Sequence, residues 1–192
     1  MSINRQLSDY IFFYPDVLDS ETCKKIINRY DNKDWDGWKT SKFVNKNSPS
    51  ETTSDEVLMD EYWIKNKNPY HKNIKKAFDY CVEDYIHFNP RIGKNEIEFT
   101  DFRINRYVPG GFMQQHTDAI HHSHGQKQGY PHLTSLLFLN DDFEGGDFVL
   151  CDDQYIEKKQ GSALVFPSNF MFPHEVKKVT EGKRFSIMTW IM

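Results

Sequence analysis

Cysteine is sparse in this chain: Cys23, Cys81 and Cys151 stand far apart among 192 residues. An odd, scattered set builds neither a disulfide framework nor a zinc ribbon, so the expectation is three reduced thiols in a cytoplasmic protein. Long apolar runs are missing too. No stretch approaches the roughly 20 residues that cross a bilayer, and Met1 to Tyr10 is polar, without a signal-peptide core. No membrane partner is expected. Excess positive charge is also lacking: 24 Lys and Arg stand against 28 Asp and Glu, for a net charge of −4, and six of the basic residues are Arg. Nucleic-acid binders carry a basic stripe or groove, so no nucleic-acid partner is expected. Internal repeats are not visible, which argues against a solenoid or propeller.

What is present is apolar and aromatic. Hydrophobic residues make up 38% and aromatics 15% of the chain, enough for one domain with a real core. The abundance of Phe and Tyr favours strands over a helical bundle. Tyr10 to Tyr14 reads as a short strand ended by Pro15. Asp19 and Ser20 offer N-caps for a helix to about Tyr30, with Cys23, Ile26, Ile27 and Tyr30 at helical spacing. A second helix is expected from about Tyr70 to His87, its buried stripe being Ile74, Ala77, Phe78, Cys81, Val82, Tyr85 and Ile86. Between them, Thr40 to Asp55 is rich in Ser, Thr, Asn and Lys and reads as a long surface loop, either a lid or a segment without a role.

From Glu96 the pattern changes to short strands split by turn residues. The expected strands are Ile97–Tyr107, Gln115–Ala119, His132–Leu139, Gly146–Cys151, Ser162–Phe166, His174–Val179 and Arg184–Ile191. Their spacing predicts a mainly β jelly roll or barrel braced by the N-terminal helices. The whole chain then forms a single domain: residues 1–95 as helical support and lid, and 96–192 as the catalytic jelly-roll core.

One constellation carries chemistry. His116 and Asp118 lie two residues apart, and on a strand such residues share a face. His174, placed 56 positions after Asp118 and just after Pro173, supplies a third ligand. Two imidazoles and one carboxylate on one face leave the opposite face open, the arrangement of non-haem Fe(II) oxygenases. Arg184 follows ten residues after His174. Its guanidinium can fork a carboxylate, and alternation puts Ser186, Met188 and Trp190 on its strand face while Lys183 points away. Arg103, Asn105 and Tyr107 likewise share one strand face, which predicts a polar pocket unless a bulge before Pro109 shifts the register. His121, His122 and His124 read as a polar loop with no ligand role.

The stretch from about Phe99 to Trp190 resembles the catalytic domain of the prolyl 4-hydroxylase-like 2-oxoglutarate oxygenases, nearest to the hypoxia-factor and small microbial prolyl hydroxylases. The residues that carry the likeness are Arg106-Tyr107 with Pro109-Gly110-Gly111, His116-x-Asp118, Thr134 through Leu139-Asn140, Gly145-Gly146-Asp147-Phe148, Gly161 with Leu164-Val165-Phe166-Pro167, His174-Glu175-Val176, and Arg184 with Trp190. The resemblance implies a double-stranded β-helix that uses Fe(II), 2-oxoglutarate, O2 and ascorbate as reductant. It implies His116, Asp118 and His174 as iron ligands, Arg184 as the 2-oxoglutarate anchor, and Tyr107 as a catalytic-site phenol beside the oxoacid or substrate. At Phe138 the chain departs from these enzymes, which carry Tyr there. The anchor then rests on Arg184, Ser186 and Thr134, which shares the strand face of Phe138. The expected reaction is hydroxylation of prolyl residues in a peptide or protein. The alternatives are hydroxylation of a free amino acid or other small metabolite, and a non-catalytic metal-binding jelly-roll module.

Overall fold

The computed structural model describes residues 6–32, 34–41, 56–92, 97–118 and 130–192. The expectations for the loop to Asp55 beyond Ser41, and for His121, His122 and His124, lie outside the described residues. Among the described residues, two α-helices and fourteen strands are formed. The strands are β1 (Phe12–Tyr14), β2 (Lys39–Thr40), β3 (Val57–Leu58), β4 (Asp60–Ile64), β5 (Phe102–Tyr107), β6 (Phe112–His116), β7 (Leu133–Phe138), β8 (Glu144–Gly145), β9 (Phe148–Leu150), β10 (Gln154–Tyr155), β11 (Ala163–Pro167), β12 (His174–Val176), β13 (Val179–Glu181) and β14 (Arg184–Ile191). The helices are α1 (Ser20–Tyr30) and α2 (His71–Phe88).

A seven-stranded sheet has the order β1-β11-β7-β14-β5-β4-β2, a five-stranded sheet the order β10-β9-β12-β6-β3, and β13 pairs with β8. The pairings are antiparallel, and non-consecutive neighbours make the two large sheets a jelly roll. The larger sheet is covered on both faces, which explains why all eight residues of β14 and all six of β7 are buried. One face of these strands, with Leu133, Leu137, Phe185 and Ile187, packs against α1 and α2. The other face, with Leu136, Phe138, Met188 and Trp190, meets Phe148, Leu150 and Val176 of the smaller sheet. This second core, between the sheets, holds the site.

The helices follow local rules. Asp19 caps α1 by accepting from the Thr22 backbone N–H at 2.8 Å, and Cys23, Ile26 and Tyr30 are its buried positions. All seven stripe residues expected in α2 are buried. Several strand bounds differ from expectation. Residues 97–101 do not join β5, apart from an isolated bridge of Phe99 to Ile191. The expected strand Gln115–Ala119 starts earlier and ends at His116, because β3 pairs with Phe112 and Met113 on one side and β12 with Met113 and His116 on the other. Asp118 therefore stands in the turn that follows. The expected strand His174–Val179 divides in two: β12 pairs with β9 and β6, whereas β13 leaves them for β8. The N-terminal half is not only helical support, since β1, β2 and β4 extend the larger sheet and β3 the smaller.

Candidate metal centre and co-substrate pocket

In the smaller sheet, β12 lies beside β6 with His174 directly opposite His116. Val176 is opposite Met113, so β6 carries one extra residue between the two pairs, a bulge that twists the strand locally. The two imidazole centroids are 4.3 Å apart. His116 Nδ1 lies 2.9 Å from the Gln114 carbonyl oxygen, and His174 Nδ1 lies 3.1 Å from that of Phe172. A carbonyl only accepts, so the network assigns the proton to each Nδ1 and makes each Nε2 the ring's lone-pair atom, the one that can bind a metal. Those Nε2 atoms are 3.7 and 3.5 Å from the Asp118 carboxylate oxygens. The three potential ligand atoms all lie within 4.8 Å of one another.

The electrostatics suit a cation. Burial, reinforced by the neighbouring His174, pushes the His116 pKa down to about 4, so the ring is neutral at pH 7. Burial alone would raise the Asp118 carboxyl. The two histidines and the Thr134 hydroxyl outweigh it and hold the group below its ordinary range. Thr134 Oγ1 donates to Asp118 Oδ2 at 2.6 Å, and its single proton is thereby used. Ser168 Oγ, 2.9 Å away, then serves as donor to Thr134. Two imidazoles and an ionised, oriented carboxylate form a mixed N/O donor set that fits Fe(II).

Across the pocket, Arg184 is 2% exposed. Its Nη1 donates to Ser186 Oγ at 3.1 Å, while its Nη2 is buried without a hydrogen-bond partner among the described residues. The guanidinium carbon sits 5.1 Å from the centroid of the Tyr107 ring and 5.7 Å from that of Phe138. Burial lowers the Arg184 pKa, yet a guanidinium stays charged in proteins. A buried charge with an idle donor is costly until a partner arrives. A carboxylate entering that fork supplies the missing acceptor, so the residues fit 2-oxoglutarate. Gly146, at φ +61°, makes the space: a Cβ there would stand 3.2 Å from Arg184 Cδ and 2.9 Å from Val179 Cγ2.

Comparison with known proteins finds a family resemblance over the site-bearing stretch. A family model described as "2OG-Fe(II) oxygenase superfamily" matches residues 102–192, the stretch that contains the three ligands and Arg184. This stretch is similar to a 2OG-Fe(II) oxygenase domain, and the chain spans only a small part of the curated relatives it matches. It is similar to solved prolyl hydroxylases. A prolyl hydroxylase from Trichoplax adhaerens, in complex with a hypoxia inducible factor peptide fragment, superposes with TM-score 0.71 at 20% identity over 96% of this chain and 84% of that one. A viral collagen prolyl hydroxylase from Paramecium Bursaria Chlorella virus-1 gives TM-score 0.69 at 16% identity, covering 95% of each chain. Human prolyl 3-hydroxylase 2 is 40% identical over 63 residues, which make up 30% of this chain and 9% of that much longer protein.

One pocket is lined by every site residue expected from the sequence: Tyr107, His116, Asp118, Thr134, His174, Arg184 and Ser186. Arg103 and Asn105 line it too, so the register runs unshifted to Tyr107. Two roles are more specific than the motifs indicated. Ser186 accepts from Arg184, and Thr134 donates to Asp118, which puts Thr134 in the metal cluster rather than beside the guanidinium. Sequence reasoning missed Ser168, which supports Thr134. It gave no role to Phe148 and Phe166, which stand in the quoted motifs and whose rings lie 5.5 and 5.0 Å from that of His174. Alternation along β9 and β11 was the available signal for the two phenylalanines. Lys183, next to Arg184, pairs outside with Asp31 at 2.7 Å.

Proposed function

We propose that this protein hydroxylates a prolyl residue of a peptide or protein substrate and couples that step to decarboxylation of 2-oxoglutarate to succinate and CO2. The observation that carries the reading is the meeting, in one pocket, of the two-histidine-one-aspartate cluster with a buried arginine whose Nη2 lacks an acceptor among the described residues. The prolyl part rests on similarity to prolyl hydroxylases, one of them solved with a peptide.

Fe(II) held there, with 2-oxoglutarate and O2, supplies the oxidising power that cleaves an unactivated C–H bond. The chain's own work is placement. His116 and His174 present Nε2 lone pairs fixed by backbone carbonyls, and Asp118 is aimed by Thr134 and Ser168. Arg184 and Ser186 hold the far carboxylate of 2-oxoglutarate. Tyr107 keeps its phenolic proton because burial raises its pKa, so it remains a donor for a ligand oxygen. Phe148, Leu136, Met113 and Val176 form the apolar wall that excludes water.

The test incubates the protein with Fe(II), 2-oxoglutarate, ascorbate and a panel of proline-containing peptides beside free amino acids. Succinate release and a +16 Da product on proline in a peptide are expected. Hydroxylation of free amino acids and of no peptide would promote the second reading, a small-metabolite hydroxylase, which the polar pair Arg103 and Asn105 favours.

A further inference from the structure

The pocket contains a second arginine that the scheme above leaves unused. Arg103 is opposite Met188 on β14, whereas Arg184 is opposite Tyr107. Four residues separate the two positions, about 13 Å at roughly 3.4 Å per residue. Arg103 therefore stands at the far end of the pocket floor from the 2-oxoglutarate anchor, in the direction of Trp190 and Thr134. Its side chain is only 11% exposed.

Its surroundings leave it under-used. Among the described residues, the guanidinium makes one hydrogen bond, Nη1 to Glu61 Oε2, and at 3.4 Å it is long. Nε is buried and has no partner. The guanidinium carbon lies 5.8 Å from the Trp63 ring centroid and 5.4 Å from that of Trp190. Packing on two indoles fixes the plane of the group and leaves its N–H edge for a planar acceptor. One row nearer Arg184, Asn105 is 3% exposed, and its Oδ1 has no donor among the described residues. Buried polar groups of this kind are normally satisfied. An idle donor edge beside an idle acceptor calls for a ligand that brings a carboxylate together with an N–H.

We propose that Arg103 determines specificity: its guanidinium takes a carboxylate of the substrate being oxidised, and Asn105 accepts an adjacent N–H. This rests on the hydroxylase reading above. Such a carboxylate has two sources, an acidic side chain flanking the oxidised residue of a peptide, or the α-carboxylate of a free amino acid. Glu61 keeps Arg103 in place through its single long contact and leaves the rest of the fork for the ligand.

The experiment measures kcat/KM for substrate-stimulated succinate formation and the +16 Da product on matched pairs. The pairs are proline peptides with a flanking Asp or Asn, the same peptides with Ala for Pro, L-proline with L-prolinamide, and L-glutamate with L-glutamine. The proposal expects wild type to favour the carboxylate member of at least one pair by tenfold or more. Arg103→Gln should bring that ratio near one and Arg103→Lys should recover part of it, with the KM for 2-oxoglutarate within twofold of wild type. The peptide and free pairs distinguish the two sources. Acid preference that persists in the Ala series without any response to proline removes the prolyl reading and leaves Arg103 in its role. Proline dependence without acid preference does the opposite. Ratios within twofold for every wild-type pair overturn the proposal without recourse to a variant. So does an unchanged ratio in folded Arg103→Gln, or a tenfold rise in the KM for 2-oxoglutarate, which would make Arg103 a second grip on the co-substrate.

Discussion

Asp118 differs from the two histidines in how it is held. The histidines sit opposite each other on paired strands, but Asp118 lies past the end of β6 and depends on the Thr134 hydroxyl for its aim. Thr134→Val removes that bond at nearly constant volume. Metal affinity should fall by about 10–100-fold, as for other outer-sphere partners, with the fold retained. A metal-competition titration measures it, and unchanged affinity would deny Thr134 the role. At the other pole, Arg184→Ala removes the fork. Loss of a buried charge-assisted contact costs about 2–5 kcal/mol, so the KM for 2-oxoglutarate should rise about thirtyfold or more, with Arg184→Lys in between. Steady-state kinetics against 2-oxoglutarate reads both. The ligands and Arg184 were legible because their chemistry demands fixed residue types at fixed spacings. Thr134's partner was not, because a hydroxyl on β7 serves either pole, and only the three-dimensional path of the 117–118 turn decides which.

Among the elements, the long ones were the legible ones. The buried stripe of α2 follows its 3.6-residue period, and β14 runs from Arg184 to Ile191 as expected from its alternation. The strands β2 and β3 have two residues each, too few for any period to show, and β4 carries a mixed DEYWI pattern. They exist because sheet neighbours supply their hydrogen bonds, as β5 does for β4 and β6 for β3. Gly161 shows how tightly such elements are joined. It has φ +77°, its N–H donates to the Phe138 carbonyl, and its own carbonyl accepts from Val17 and Leu18. A Cβ there would meet the Leu18 carbonyl oxygen at 2.1 Å. Gly161→Ala should therefore destabilise the protein by about 1–3 kcal/mol. Urea unfolding should show a lower midpoint with an unchanged slope, and unaltered stability would mean that the β1–α1 turn moves aside freely.

The whole molecule separates support from chemistry. One apolar core joins the helices to the larger sheet, and the other lies between the sheets around the site. The proposed iron site lies at the second core but does not build it. Removing the metal should leave the far-UV circular dichroism unchanged and lower Tm only by the linkage term. With metal at 100 times its Kd, that term is about 2.7 kcal/mol, or roughly 5–10 °C for a chain of this size. Collapse of the dichroism on chelation would make the metal structural. The class of fold and the position of the site were readable from the last half of the chain. The contribution of residues 57–64 was not, since Trp63 and Glu61 reach Arg103 only through the pairing of β4 with β5. The central claim is that His116, Asp118 and His174 hold Fe(II) in the same pocket in which Arg184 holds 2-oxoglutarate. The most direct measurement is an anaerobic titration of 2-oxoglutarate into the Fe(II)-loaded protein, following the visible charge-transfer band of a 2-oxo acid chelated to Fe(II). The band should appear in wild type, require at least tenfold more 2-oxoglutarate in Arg184→Ala, and be absent in His174→Ala. A band of equal intensity and equal midpoint in all three proteins would contradict the account.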